Sequence, residues 1–241
     1  DTASDFIKKK IKEIVKNQEY ANILTSFDHP YACKRPPIDT NYFETYNRDN
    51  VHLVDIRSDP IKYIDENGIA TEKHYFDLDM IVFATGFDAM TGSLIKLNIT
   101  GENNLKLEDY WKEGPKTYLG LQIPGFPNMF TITGPGSPSV LTNMPTAIEQ
   151  HVEWVTDCIK YMIDNNYEKI STTNQKSDEW GKEVNEAANK TLLPTVKHSW
   201  YLGANIPGKP KVFMPYAGGL PVYKEICDKV KESNYEGFIL S

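Results

Sequence analysis

Cysteine is scarce. Cys33, Cys158 and Cys227 are the only three in 241 residues, an odd number, widely separated and without a CxxC pair. That pattern supports neither a disulfide framework nor a redox dithiol and leaves three reduced packing residues. Histidine is nearly as thin: His29, His52, His74, His151 and His198 show no metal-ligand spacing and nothing like HExxH, so no metal site is expected. No apolar run approaches the length of a membrane span and no signal peptide opens the chain, so a soluble, cytoplasmic protein is expected, with no membrane partner. With a formal net charge of -7 and no basic tract, the chain has no nucleic-acid footprint. Internal repeats, low-complexity tracts, a Ser/His/Asp elbow and a paired-carboxylate couple are all missing.

What is present suffices for one large or two small α/β domains. The organising stretch is Asp77-Leu78-Asp79-Met80-Ile81-Val82-Phe83-Ala84-Thr85-Gly86-Phe87-Asp88-Ala89. Met80 to Phe83 are too continuously apolar for a half-exposed strand and too short for a helix, so they read as a buried strand of a parallel sheet. Ala84, Thr85 and Gly86 shrink the side chains at its carboxyl end, where open α/β sheets bind ligands. A tight turn leaving a core strand also accounts for Gly86 by itself.

Taken in order, the chain opens with an amphipathic helix through Phe6, Ile7, Ile11, Ile14 and Val15, whose lysines face solvent. In the loop from Asp28 to Pro37, Pro36 and Pro37 stiffen the backbone that presents Lys34 and Arg35; from the loop alone, these cations read as surface. Val51 to Ile56 and Ile61 to Ile64 read as strands, with Asn67-Gly68 as a hairpin turn into Ile69 to Glu72. A boundary near Asp88 separates two lobes, and a ligand crevice is expected where they cross. Asn128 to Thr133 reads as another buried strand. The following Gly134-Pro135-Gly136-Ser137-Pro138-Ser139 is a near miss to GxGxxG, rejected as a phosphate cradle because of its last residue and two prolines. A helix through Ile148, Val152, Val155, Ile159 and Met162 starts near Thr142, Asn143 and Pro145, and a second spans Ser177 to Leu192. A strand from Val212 to Tyr216 and a last helix through Val222, Ile226 and Val230 complete the chain. By spacing alone Trp200 is core, and the reaction is not readable.

Six stretches, in order, resemble the carboxyl-terminal half of the Baeyer–Villiger monooxygenases, flavin enzymes that insert oxygen beside a ketone. They are Lys34-Arg35-Pro36, Tyr46 to Val51, Phe83 to Ala89, Gly134 to Ser139, His151-Val152-Glu153-Trp154 and Gly203 to Lys209. Within the family, the loop from Pro138 to Met144 has the length found in phenylacetone monooxygenases, not the shorter form of cyclohexanone monooxygenases. The resemblance implies an α/β fold: a partial two-dinucleotide-binding-domain flavoprotein of FAD/NAD(P)-binding, Rossmann-like type, lacking its amino-terminal half. It divides the chain into a helical segment (1-25), the carboxyl-terminal part of an NADP-binding domain (26-87) and that of an FAD-binding domain (88-241).

The same resemblance makes Arg35 the active-site arginine beside the flavin peroxide that attacks the ketone. It puts Lys34 on the 2′-phosphate of NADPH and Trp200 against the nicotinamide cofactor. Thr85 and Gly86 become the corner joining the NADP and FAD domains, and Asn143 and Met144 a helix start facing the flavin. Ser139, Val140, Leu141 and Met144 line the ketone pocket. FAD and NADP are the cofactors implied for the parent enzyme, with ketone and O2 as its small-molecule partners. Both nucleotide fingerprints and the FxGxxxHxxxW signature are absent from this chain. It is therefore expected to be a fragment, empty of cofactor and inactive alone, with exposed edges that call for the missing half or for self-association. A non-catalytic dimerisation or binding module is the alternative. Among enzymes, an N- or S-oxidising flavin monooxygenase is another, against which Arg35 and the long pocket loop argue.

Overall fold

The computed structural model describes residues 2–241. The chain divides into two compact units, one ending at Gly86 and the other beginning at Phe87.

The first unit opens with α1 (Thr2–Ile14) and α2 (Gln18–Leu24). The side-chain oxygen of Asn17 caps α2 by accepting the amides of Glu19 and Tyr20 at 2.9 and 3.2 Å, satisfying donors that a helix start leaves open. Ile11, Val15 and Ala21 are buried with Phe27, Phe43 and Tyr46 packed on them. Phe43 lies in the short α3 (Tyr42–Thr45). Asn47 fastens the end of α1: its Nδ2 donates to the Ile14 carbonyl at 2.9 Å, and its Oδ1 accepts the Lys16 amide at 2.8 Å.

Next comes an antiparallel sheet of β1 (Ile61–Ile64), β2 (Gly68–Thr71) and β3 (Tyr75–Asp77), in that order. The hairpin falls where Asn67-Gly68 predicts it, with Ile64 opposite Ile69. Gly68 serves there by close approach, because a Cβ on it would stand 1.9 Å from the Phe76 carbonyl oxygen. Asp59, buried, gathers the second turn by accepting from Thr71 Oγ1 and the Lys73 amide and meeting His74 Nδ1 at 2.8 Å.

Two strands expected in this unit do not form. Val51 to Ile56 and Met80 to Phe83 have no strand partner, and Met80, Val82 and Phe83 are 78%, 78% and 70% exposed instead of buried. A parallel strand exists only through its neighbours, and among the described residues none lies beside either segment. Both sheets of the chain are antiparallel.

The second unit begins with α4 (Gly92–Lys96) and α5 (Leu107–Tyr110), which pack around buried Trp111, Ile123 and Phe126. Its main core lies among α6 (Met144–Asp164), α7 (Asn174–Asn189) and α8 (Leu220–Glu232), with β4 (Ile170–Thr172) pairing antiparallel to β5 (Phe238–Leu240). Helices α6 and α8 form where expected, but their buried faces are not the expected stripes: Ile148, Val152, Ile159 and Val222 are exposed, and Trp154, Cys158 and Met162 meet Tyr223 and Cys227 in one cluster instead. Trp154 Nε1 donates across it to the Cys227 carbonyl at 2.9 Å. α7 starts three residues before the expected Ser177, where Thr173 Oγ1 accepts the Lys176 amide.

Asn128 to Thr133 is not a strand. Left-handed residues at Asn128 (φ 58°) and Thr133 (φ 51°) break it at both ends, leaving one bridge between Gln122 and Phe130. Val212 to Tyr216 is likewise no strand, because its amides go to three different acceptors, the carbonyls of Leu202, Tyr201 and Ser137. All three cysteines are free and buried, and burial pushes the thiols of Cys158 and Cys227 up to about 12. Among the described residues, no helix is long and apolar enough to cross a membrane.

His151, fully buried on α6, has both ring nitrogens engaged. Nδ1 accepts the Thr133 amide at 2.8 Å, so the neutral ring carries its proton on Nε2, 2.9 Å from the Tyr223 hydroxyl, which donates to the Leu119 carbonyl at 2.6 Å. Burial lowers the His151 pKa from 6.5 to about 4. Only the unfolded chain takes up this proton between those values, so stability is complete above pH 6.5 and falls as the pH drops toward 4. The expected loss is roughly 3 kcal/mol by pH 4. Urea midpoints measured between pH 7 and 4.5, with NMR of the His151 ring, check this; a ring protonated in the folded protein at pH 5.5 contradicts it.

Candidate functional site

The sequence-predicted residues fall in two places, one in each unit. In the first, Lys34 and Arg35 stand exposed on the Pro36-Pro37 loop. They line a groove of about 760 Å³ with Phe27, His29, Tyr31, Tyr42 and Phe43. Among the described residues neither cation has an ion-pair or hydrogen-bond partner. Burial first, and then the Lys34 charge, lower the His29 pKa, against an opposing contribution from Asp28. The groove therefore combines aromatic walls, two cations without an ion-pair partner and one carboxylate, Asp39, a surface suited to an anionic ligand that has flat rings. Thr85 and Gly86, at the end of this unit, are exposed and line neither this groove nor the cavity described next. Gly86 has φ +86° with open space where a Cβ would be.

In the second unit Ser139, Val140, Met144 and Trp200 converge on a cavity of about 440 Å³. Ser139 is 2% exposed and held at φ 40°, a left-handed strain on a non-glycine residue. Its hydroxyl faces Met90 Sδ at 3.7 Å. Met144 is the first residue of α6, so the helix's positive end opens at the cavity. Asn143 is exposed and accepts the Thr146 amide at 3.3 Å as the cap of that helix. Leu141 does not line the cavity; it packs near Tyr201 and Phe213. Trp200, half-buried, lies with its ring centroid 4.6 Å from that of Tyr201. The tyrosine takes the core position and leaves the tryptophan's other surface to the cavity.

The loop Gly134 to Ser137 is not available to phosphate. Its Gly136 amide donates to the Met214 carbonyl at 2.7 Å and its Ser137 amide to the Gly134 carbonyl at 3.1 Å, while Trp180 Nε1 holds the Gly136 carbonyl at 3.0 Å.

Sequence reasoning missed Ala89, Met90, Ser93 and Thr133 as cavity residues; nothing in local pattern marks them, because loop contacts bring them together. It also missed what the stretch Gly203 to Lys209 does. Lys209 Nζ, with its side chain only 12% exposed, meets Asp88 Oδ1 at 2.5 Å and the Ala89 carbonyl at 3.1 Å. Asn205 Nδ2 donates to the Phe87 carbonyl at 3.2 Å. Two walls of the cavity, Ala89-Met90 and the segment that starts at Trp200, are thereby clamped. A signal existed: Asp88 and Lys209 are charges in otherwise small-residue and loop sequence.

No family model matches the chain. Comparison with known proteins shows what the chain resembles. The chain superposes on the OTEMO complex with FAD and NADP with a TM-score of 0.92 at 43% identity, covering 99% of this chain and 44% of that one. It is 45% identical over 237 residues to cyclohexanone 1,2-monooxygenase of Acinetobacter sp, covering 98% of this chain and 43% of that protein. It is 44% identical over 240 residues to a Baeyer–Villiger monooxygenase of Pseudooceanicola batsensis, covering 99% and 43%. The chain is thus a homologue of the Baeyer–Villiger monooxygenases along nearly its whole length and spans less than half the length of those relatives.

Breaking the clamp tests its structural weight. Lys209→Met is expected to cost about 2 kcal/mol, the scale of a partly buried charged hydrogen bond. It should speed amide exchange at Phe87 to Met90 more than in α6. A double-mutant cycle with Asp88→Asn that returns additive losses would show that the two side chains do not act as a pair.

Proposed function

We propose that this chain is the carboxyl-terminal portion of an FAD- and NADPH-dependent monooxygenase that inserts oxygen into ketones to give esters or lactones, and that it is inactive alone. The observation that carries this is 43–45% identity to Baeyer–Villiger monooxygenases across 98–99% of the chain. The site chemistry supports it. FAD, reduced by NADPH, supplies the oxygen-activating chemistry; the protein's residues bind, orient and protect.

Arg35 holds a permanently charged fork of donors toward oxygen that becomes anionic during the reaction, without being able to release a proton to it at neutral pH. Lys34 pairs with the 2′-phosphate of NADPH as a point charge. Trp200 offers a flat apolar face to the nicotinamide, and the Thr85-Gly86 corner joins the two nucleotide-binding parts. Asn143 fixes the start of α6, whose positive end suits a reduced, anionic ring edge. Ser139, Val140 and Met144 shape the ketone pocket, and Leu141 supports the loop from behind. The amides of Gly136 and Ser137 are already committed to carbonyls within this unit, so this turn does not serve as a pyrophosphate cradle.

A purely structural binding module is the rival reading. Two unpaired cations on a proline-stiffened loop beside an aromatic groove favour the enzyme, because nothing in packing calls for them.

In the enzyme assembled with its remaining polypeptide, Arg35→Ala is expected to keep FAD bound while lowering ester formation on the order of 10²-fold or more, about 3 kcal/mol of lost transition-state stabilisation. NADPH oxidation should continue, with oxygen released as hydrogen peroxide, and Arg35→Lys should rescue poorly. Ester formed at the unmodified rate by Arg35→Ala overturns the assignment. Lys34→Ala should weaken NADPH on the order of tenfold, as expected for a lost charge-assisted contact, and NADH much less; equal losses in the two dissociation constants would return Lys34 to the surface.

A further inference from the structure

Met90 is the centre of a three-residue turn closed by the Thr91 amide, which donates to the Ala89 carbonyl at 2.9 Å. Its φ of 68° is the hand of such turns that is rare and strained for a residue with a side chain. Strain of this kind persists only where the surroundings fix the backbone, and here they do so on both sides. Before the turn, Lys209 Nζ meets Asp88 Oδ1 at 2.5 Å and donates to the same Ala89 carbonyl at 3.1 Å. After it, the Thr91 carbonyl accepts the Ile95 amide at 3.0 Å at the start of α4. Gly92 leaves no slack between them, because a Cβ there would stand 2.4 Å from Asp88 Cγ.

The side chain on this fixed stem is the opposite. A methionine is unbranched and adapts its shape to its neighbours. Among the described residues, the hydrogen-bond partner of Met90 Sδ is the Ser139 hydroxyl at 3.7 Å, and a thioether is a weak acceptor. Both residues line the cavity of about 440 Å³. Much of the remaining wall is tied down. Thr131 Oγ1 donates to the Gly120 carbonyl at 2.8 Å, the Thr133 amide goes to His151, and Trp200 lies against Tyr201.

We propose that Met90 is a specificity-determining residue, an adjustable plug on a fixed stem that sets which ligand sizes the cavity of the second unit accepts. That the ligand is a ketone rests on the proposed function; the plug itself rests on the strained turn and the weakly held thioether. A small ring packs against the thioether, and a larger one displaces it at the cost of one weak hydrogen bond. Shortening the side chain therefore removes packing from small ketones, and giving its tip a strong bond to Ser139 shuts out large ones.

The test gives cyclohexanone and 4-phenylcyclohexanone in competition to the enzyme assembled with its remaining polypeptide, and reads the ratio of the two lactones. Met90→Ala should raise the share of the phenyl product on the order of tenfold, the effect of lost contact in an apolar pocket. Met90→Gln keeps the length and offers Ser139 an amide oxygen, so it should lower that share roughly threefold to tenfold, the worth of one neutral hydrogen bond. Both replacements are unbranched at Cβ, and the melting of the 241-residue chain checks that each folds. Without NADPH, where nothing turns over, the dissociation constants of the two ketones should shift in the same directions, followed on the methyl carbon of Met144 in the same cavity. Shifted binding without any lactone upholds the plug and counts against the proposed function. Lactones formed with both ratios within twofold of the unmodified enzyme overturn the plug and leave the proposed function standing. The plug is also overturned if Met90→Gln takes the phenyl ketone more readily than the unmodified enzyme does. If neither ketone is bound or converted, both readings fall.

Discussion

Everything in the second unit depends on one buried turn, Gly134 to Ser137, and on the indole that reaches it. Trp180 Nε1 donates to the Gly136 carbonyl, and Thr117 Oγ1 donates to the neighbouring Pro135 carbonyl at 2.6 Å. The turn returns amides and carbonyls to Met214 and Tyr216. Three distant stretches are therefore joined through one turn whose backbone groups water does not reach, where each unmade hydrogen bond would be costly. Gly136 has no substitute there: at φ +91° a Cβ would stand 2.8 Å from Thr117 Oγ1 and 2.9 Å from the indole nitrogen. Ser139, two residues past the turn, inherits its strained position from this rigidity, and so does the cavity wall it forms.

The division of labour between the units follows from the kinds of interaction each contains. The first has small clusters and a hairpin stapled by one buried carboxylate, Asp59. Its exposed loop carries charge that is not consumed by structure. The second has the large aromatic core, with Trp180, Tyr216 and Tyr223 in mutual contact and Trp154 against Tyr235 and Phe238, and its cavity is correspondingly defined on a stiff background. The Lys209–Asp88 pair is the exception there, a polar tie between two loops where apolar packing is thin.

The helices were legible because their cause is local. Ile11 and Val15 repeat at helical spacing and are buried, and Asn143 caps α6 by its own side chain; the α6 stripe Ile148, Val152 and Ile159 marked a helix but not its core face, which is Trp154, Cys158 and Met162. The hairpin at Gly68 was legible for the same reason, although its glycine answers to a carbonyl across the strand and not to an unusual φ. Strands at Val51, Met80, Asn128 and Val212 were misread, because an apolar run reports a wish to be buried and cannot report whether its partner is in the chain. At the candidate site, Ser139, Val140, Met144 and Trp200 came from resemblance and meet at one cavity; Leu141 came with them and packs elsewhere. Met90 and Thr133 were invisible, since loop contacts bring them to the cavity, Met90 meeting Ser139 from 49 residues away; the Lys209 clamp, formed across 121 residues, showed only as two charges in loop sequence.

The burial of the three thiols bears on how such a protein survives its surroundings. At neutral pH a thiol whose pKa is about 12 is ionised in on the order of one molecule in 10⁵, and the thiolate is the form that oxidants attack. Cys158 and Cys227 are thus chemically silent in the folded state. Sulfur chemistry shifts instead to thioethers, of which Met80, 78% exposed, is the one that stands open. In air the chain would wear first at that methionine, so the fraction of Met80 sulfoxide in an aged sample records how long the Asp79–Gly86 segment has stood uncovered.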